Sequence, residues 1–144
     1  MDAITMWEQY ATRNDISAEY DAWCFGDNAD ALADLVLKGI KTATASAYPL
    51  YELEGEELPI EGQYSIVLWK DDTAACIIKT TKVYTSAFCD VSPEQAYKEG
   101  EGDRSLAYWQ TVHRNFFTKE LRDAGLTFTE DMKVVCEEFI KVYP

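Results

Sequence analysis

Apolar positions along the chain follow two spacings. Met6, Trp7 and Tyr10 recur at helical spacing over residues 5–13, behind a threonine that can cap a helix. Leu32, Leu35 and Val36 repeat the spacing after Asp27 or Asn28, either of which suits an N-cap, and Gly39 suits the position just past the helix end. Ser92-Pro93-Glu94-Gln95 marks a third helix start, with a capping serine, a proline in the first turn and a glutamine where a capping box wants one. Gly100 and Gly102 keep that helix short. The longest helix is predicted over residues 106–124. There Leu106, Trp109, His113, Phe116, Phe117 and Leu121 share one face, and Gly125 ends the pattern.

The other spacing is that of strands. Residues 41–48 are small, alternating and β-compatible. Residues 63–69 and 73–84 form a hairpin around Lys70-Asp71-Asp72, and residues 133–143 close the chain as a β-rich run. Residues 16–25 are aromatic-rich but aperiodic and are assigned to neither class. Pro49 and Pro59 bracket an acidic stretch predicted as loop. The strands are few, some are long, and no βαβ rhythm connects them. This order predicts an α+β fold with a mixed or barrel-like sheet, not a doubly wound parallel one. The length of 144 residues fits one domain, with residues 1–22 as an N-terminal helical extension.

Charge narrows the partners. The 26 acidic residues outweigh 13 basic ones, for a net charge of -13. Non-specific binding to duplex DNA relies on neutralising phosphates, so it is not expected. A local pocket for one nucleotide or a short single strand remains compatible. Cys24, Cys76, Cys89 and Cys136 form no C-x-x-C pair, and the single histidine cannot complete a zinc signature with them, so neither metal nor cofactor is expected. Cys76 and Cys136 sit in apolar runs and are expected to be buried. The N-terminal stretch has no charged-then-apolar secretion pattern, and no apolar run reaches membrane-spanning length, so a cytoplasmic location is expected.

Two stretches carry candidate chemistry. In LKGIKTATAS, Lys41 follows Gly39 closely, and Thr44 comes three residues later. Within a regular strand those two side chains face opposite sides, so they converge only if Lys41 is still in the turn. Thr42 and Ser46 share the parity of Thr44. A lysine near its usual pKa is a poor base, so a catalytic role requires burial to tune it. The second stretch, EGEGDRS, places Glu99, Glu101, Asp103 and Arg104 on a glycine-hinged loop. A carboxylate there can move a proton, while Arg104 organises the loop or meets an anionic substrate. His113, on an apolar helix face, is predicted as a core histidine. Trp7, Trp23, Trp69 and Trp109 read first as core residues, with a pocket mouth the alternative for Trp23 near Gly26.

The segments WCFGD, LVLKGIKTATAS, EGEGDRSLAYWQTVHRNFF and VVCEEFIKVY resemble the ASCH domain family, a branch of the PUA-like superfamily. The resemblance runs from about Trp23 to the end, and its sharpest parts are G-x-K-T-x-T at residues 39–44 and the EGEGDRSL block. It implies a PUA-like small mixed β-barrel flanked by helices, with a cleft where the turn meets the acidic loop. Family members are regarded as RNA-related. A small bacterial member is an amidohydrolase that deacetylates acetylcytidine with a lysine, a threonine and a glutamate. By motif position these map to Lys41, Thr44 and Glu99, with Glu101 as the rival carboxylate. The arginine which that enzyme carries two residues after its threonine is Ser46 here. The resemblance therefore implies a hydrolase for an amide or ester of a modified, acylcytidine-like nucleoside. Lys41, Thr44 and Glu99 would do the chemistry, and Gly39, Thr42, Ser46, Glu101, Arg104 and Trp23 would line the substrate. Backbone N–H groups of the Gly39 turn are the expected oxyanion donors. A non-catalytic module for single-stranded RNA or a nucleotide, and a ribonuclease, are the alternatives. Neither a membrane partner nor a particular oligomeric state is implied.

Overall fold

The computed structural model describes all residues, 1–144. Its elements run α1 (Ala3–Asn14), β1 (Tyr20–Trp23), α2 (Ala29–Leu37), β2 (Ala43–Ala47), α3 (Tyr48–Glu54), β3 (Tyr64–Leu68), β4 (Ala74–Ala87), α4 (Pro93–Glu99), α5 (Leu106–Asp123) and β5 (Lys133–Tyr143). The strands form one mixed sheet in the order β1-β3-β4-β5-β2. The β1–β3 pair is parallel, and every other pair is antiparallel. The fold is therefore α+β, as the element order predicts.

The sheet is open, not the closed barrel that was expected. Its edge strands β1 and β2 do not pair with each other. They are four and five residues long, against 14 for β4 and 11 for β5. Register shifts in the β4–β5 ladder at Ile77/Ile78 and Thr80/Lys82 are the bulges that bend long strands. No helix is long and apolar enough to cross a membrane.

Three apolar clusters hold the layers together. Trp109, Phe117 and Leu121 of α5 pack with Phe88, Val134 and Cys136. Met6, Trp7 and Tyr10 of α1 pack with Ile66 and Ile77. Ala33 and Val36 of α2 pack with Val67, Cys76, Ile78 and Phe139. The core face of α5 is a single stripe, with Trp109, His113, Phe117 and Leu121 buried at four-residue intervals.

Local details differ from the sequence expectation in four places. Asp2, not Thr5, caps α1, accepting from the Thr5 N–H at 2.8 Å. Residues 20–23 form β1, which exists through its parallel ladder to β3 and the packing of Tyr20 on Trp7, 4.9 Å between rings. The predicted loop after Pro49 contains α3, which has a proline in its first turn and Gly55 at φ +66 past its end. None of its residues is buried, so no apolar stripe announces it. Ser92 caps α4 as expected, but the Gln95 side chain does not close the capping box. It points inward, to the site.

Candidate functional site

The turn after α2 sets the position of Lys41. The Gly39 N–H donates to the Val36 carbonyl, and those of Ile40 and Lys41 donate to Leu35, while Gly39 holds φ +75. This left-handed close of the helix delays β2 until Ala43. Lys41 therefore still belongs to the turn, and its side chain runs inward to 2% exposure.

There the ammonium meets the end of α4 and the loop behind it. Lys41 Nζ lies 3.6 Å from Glu99 Oε1 and 3.3 Å from Glu101 Oε2, and donates to the Glu99 carbonyl at 3.5 Å. The Phe25 ring sits 5.3 Å away on its other side. Glu99 is 1% exposed. Its Oε2 accepts from Trp109 Nε1 at 2.6 Å and Gln95 Nε2 at 3.2 Å. Its Oε1 faces Lys41 and His113 Nε2, the latter at 3.3 Å, and makes no aligned hydrogen bond.

His113 completes the cluster. Its Nδ1–H donates to the Trp109 carbonyl at 2.9 Å, and its ring stacks on Trp109 at 4.2 Å. A carbonyl only accepts, so Nδ1 carries a proton and Nε2 is left for Glu99. Burial pulls the imidazole pKa down, but Glu99 and then Glu101 outweigh it and hold it above its ordinary value. Burial likewise pushes the Glu99 carboxyl up, yet Lys41, His113 and Trp109 together hold it below its ordinary value. The depressed carboxyl of Glu99 thus sits between the Lys41 amine and the His113 imidazole.

Gln95 ties this cluster to the sheet. Its Nε2 donates to the Thr44 carbonyl at 3.2 Å as well as to Glu99, and its Oε1 accepts from Tyr84 at 3.0 Å. Thr44 lies in β2 directly across from Glu137 of β5. Lys41, Thr44, Glu99, Glu101, His113 and Glu137 line one cavity of about 1020 Å³. That is the upper end of the range for small-molecule sites. Its wall runs from β1 to β2, so it occupies the side where the two sheet edges fail to meet. Nine of its lining residues are acidic, against two lysines and one histidine.

Glu99, Glu101 and His113 also offer donor atoms within 4.8 Å of one another, close enough to share a cation. Lys41 Nζ already stands between the two carboxylates, so the cluster supplies its own positive charge.

A family model described as the ASCH domain matches residues 21–143. The chain belongs to the ASCH domain family. An ASCH domain from Lactobacillus crispatus superposes with a TM-score of 0.91 at 38% identity, covering 98% of this chain and 94% of that one. A protein from Enterococcus faecalis superposes equally well, TM-score 0.91, at 36% identity, covering 97% of this chain and 87% of that one. A hypothetical protein, PH0355, shares the fold alone, at TM-score 0.58 and 15% identity over 86% of this chain and 100% of that one. No curated protein matches the chain.

Within this ASCH domain the expected site residues separate into two groups. Trp23, Lys41, Thr44, Ser46, Glu99 and Glu101 share the cavity wall. Ser46 shares a hydrogen bond with the Tyr51 hydroxyl at 2.8 Å. Gly39, Thr42 and Arg104 lie outside the cavity. Thr42 precedes the strand, and its hydroxyl donates to the Lys98 carbonyl at 3.3 Å. The amides of the Gly39 turn are spent on α2 carbonyls, so they cannot hold an oxyanion. Arg104 binds the protein itself. It lies 3.7 Å over the Tyr97 ring and donates to the carbonyls of Tyr97 and Ile40. These contacts fit the expected role of organising the loop.

Two cavity residues escaped the sequence reading. His113 is buried as predicted, but its Nε2 serves Glu99 and is not an idle core atom. Glu137 carried no motif. Burial pushes its carboxyl up to about 7, against an opposing contribution from the Thr80 hydroxyl.

Proposed function

We propose that the cavity binds a neutral modified nucleoside and hydrolyses an amide or ester bond on it, as an acylcytidine-like substrate would present. The observation that carries this reading is that an amine, an alcohol and a carboxylate, from Lys41, Thr44 and Glu99, line one cavity, with the amine and the carboxylate 3.6 Å apart and almost fully buried. The nine carboxylates of the wall weigh against a phosphodiester ligand, because they repel what a ribonuclease or an RNA-binding cleft must attract.

The chemistry follows from that pair. Burial narrows the gap between the ionic pair and its neutral tautomer, in which Glu99 has taken a proton from Lys41. The neutral pair is a base beside an acid. Lys41 accepts the Thr44 hydroxyl proton as the oxygen attacks the acyl carbon, and Glu99 protonates the leaving nitrogen or oxygen as its bond to carbon breaks. Water then attacks the acyl-threonine. Glu99 takes a water proton, Lys41 returns one to the Thr44 oxygen, and the neutral pair is restored.

Hydrolysis of N4-acetylcytidine tests the reading. Turnover is expected from the wild type and is expected to be lost in Lys41→Ala and Thr44→Ala. Undiminished turnover in both variants removes the mechanism.

A further inference from the structure

Glu137, half-buried in β5, differs from the other two carboxylates at the heart of the cavity. Glu99 and Glu101 have Lys41, whereas Glu137 has no ion-pair partner. Strand alternation explains this. Glu138 points to the opposite face of β5 and takes the nearby lysines, Lys98 at 2.9 Å and Lys82 at 3.9 Å. The groups on β2, β4 and α3 that neighbour Glu137 are uncharged. Thr44 of β2 lies directly across from it. Thr80 of β4 is beside it, and Tyr51 of α3, a phenol whose pKa burial raises further, feels its charge. Glu120 of α5 is acidic and lines the same cavity. With a carboxyl pKa near 7, Glu137 carries a proton for about half the time at neutral pH.

A protonated carboxyl offers one O–H donor and one carbonyl acceptor side by side; an ionised one offers acceptors alone. A carboxylic acid kept neutral by an apolar site so that it can donate a hydrogen bond has enzymatic precedent. An aminopyrimidine base presents the complementary edge, a bare ring nitrogen next to an amino N–H. We propose that Glu137 is the specificity residue of this cavity, donating to the ring nitrogen and accepting from the amino group of an aminopyrimidine base seated beside Thr44. This inference rests on the nucleoside reading above and adds the group that recognises the base.

The test reads binding alone, with cytidine as the probe, by titration calorimetry at pH 6 and pH 8. A single carboxyl titrating near 7 predicts wild-type affinity about tenfold weaker at pH 8 than at pH 6. Glu137→Gln keeps a donor beside an acceptor at every pH, so its affinity is expected to change by less than about twofold between the two. Glu137→Ala is expected to bind at least about tenfold more weakly than wild type at pH 6. His113 titrates in the same cavity and is present in every protein. A Glu137→Gln variant that still loses affinity at pH 8 assigns the effect to another titrating group of the cavity, His113 or Glu120, whose carboxyl burial also raises, and overturns the proposal. Equal wild-type affinity at both pH values, a Glu137→Ala variant that binds like wild type, or no binding of millimolar cytidine by any of them overturns it as well. Absence of cytidine binding in every protein also counts against the nucleoside reading, whereas the other outcomes leave hydrolysis by Lys41 and Thr44 to the acetylcytidine assay.

Discussion

Replacing Lys41 by methionine keeps the bulk of a buried side chain and removes its charge. Glu99 is then left in the interior with one of its cationic partners gone. At an effective dielectric near 20, unit charges 3.6 Å apart attract by about 4.6 kcal/mol, and breaking one side of a buried pair costs about 3–5 kcal/mol in practice. The carboxyl has an escape, because it can take up a proton. From an unfolded-state pKa of 4.5, that escape costs about 1.36 kcal/mol for each pH unit above it. The penalty is therefore capped at about 4 kcal/mol at pH 7.5 and under about 1 kcal/mol at pH 5. His113 at 3.3 Å softens the first figure, giving an expected loss of about 3 kcal/mol. The sense of the pH dependence reverses. In the wild type Glu99 has a depressed pKa, so its contribution is present above 4.5 and fades only as pH falls through the folded value. In Lys41→Met its pKa is raised, so the contribution is present below 4.5 and is lost as pH rises. Urea unfolding followed by tryptophan fluorescence at pH 5 and pH 7.5 reads both numbers. A double variant, Lys41→Met with Glu99→Gln, is expected to recover most of the loss at pH 7.5. A penalty equal at the two pH values, or below about 1 kcal/mol at pH 7.5, refutes the buried ion pair as described here.

Two further changes probe the frame around that pair. Gly100 holds φ +76, and a Cβ there would stand 2.7 Å from the Ile40 carbonyl oxygen, whereas a Cβ on Gly39 at φ +75 meets open space. Gly100→Ala is expected to lower stability by more than about 2 kcal/mol and Gly39→Ala by about 1 kcal/mol, a ranking that thermal melts check directly. His113→Gln removes a group whose pKa is raised in the fold, so its contribution of about 2 kcal/mol is present below pH 6.5 and is lost as pH climbs through the folded value. Unfolding curves of the two proteins should converge on the alkaline side. Curves that stay parallel from pH 5.5 to pH 9 contradict the His113–Glu99 contact.

The sequence pattern reveals those elements whose buried face is a property of one segment. α5 is such an element, because its apolar stripe repeats every four residues, and so is the β3–β4 hairpin around its polar turn. β1 and α3 depend on their neighbours. β1 has an intermediate-exposed-exposed-intermediate pattern and becomes a strand through its ladder to β3. No residue of α3 is fully buried and only Leu50 leans on the core, so Pro49 and Gly55 alone mark it, and those residues also mark loops. A barrel was one of the two sheet forms that the element order allowed and the form that the family resemblance implied; whether two sheet edges pair is decided by strand length and bending, which no local pattern encodes.

The site divides along the same line. Lys41 and Thr44 were recognisable because they lie three residues apart, and the geometric condition for their convergence was legible: the strand must begin after the lysine. Gly39 meets it by closing α2 in the left-handed conformation, so β2 begins at Ala43. Glu99 was legible as the end of a short helix. Glu137 was not, because its surroundings come from register. It is placed by pairing with Thr44 across the β2–β5 ladder, 93 positions away in the chain, and left unpaired because the next residue, Glu138, collects both lysines. A carboxylate in a run such as VVCEEFIKVY carries no local mark of which of its two neighbours will be neutralised. Only the alternation of the strand, set by its register with β2 and β4, sends one glutamate to the lysines and the other into the cavity.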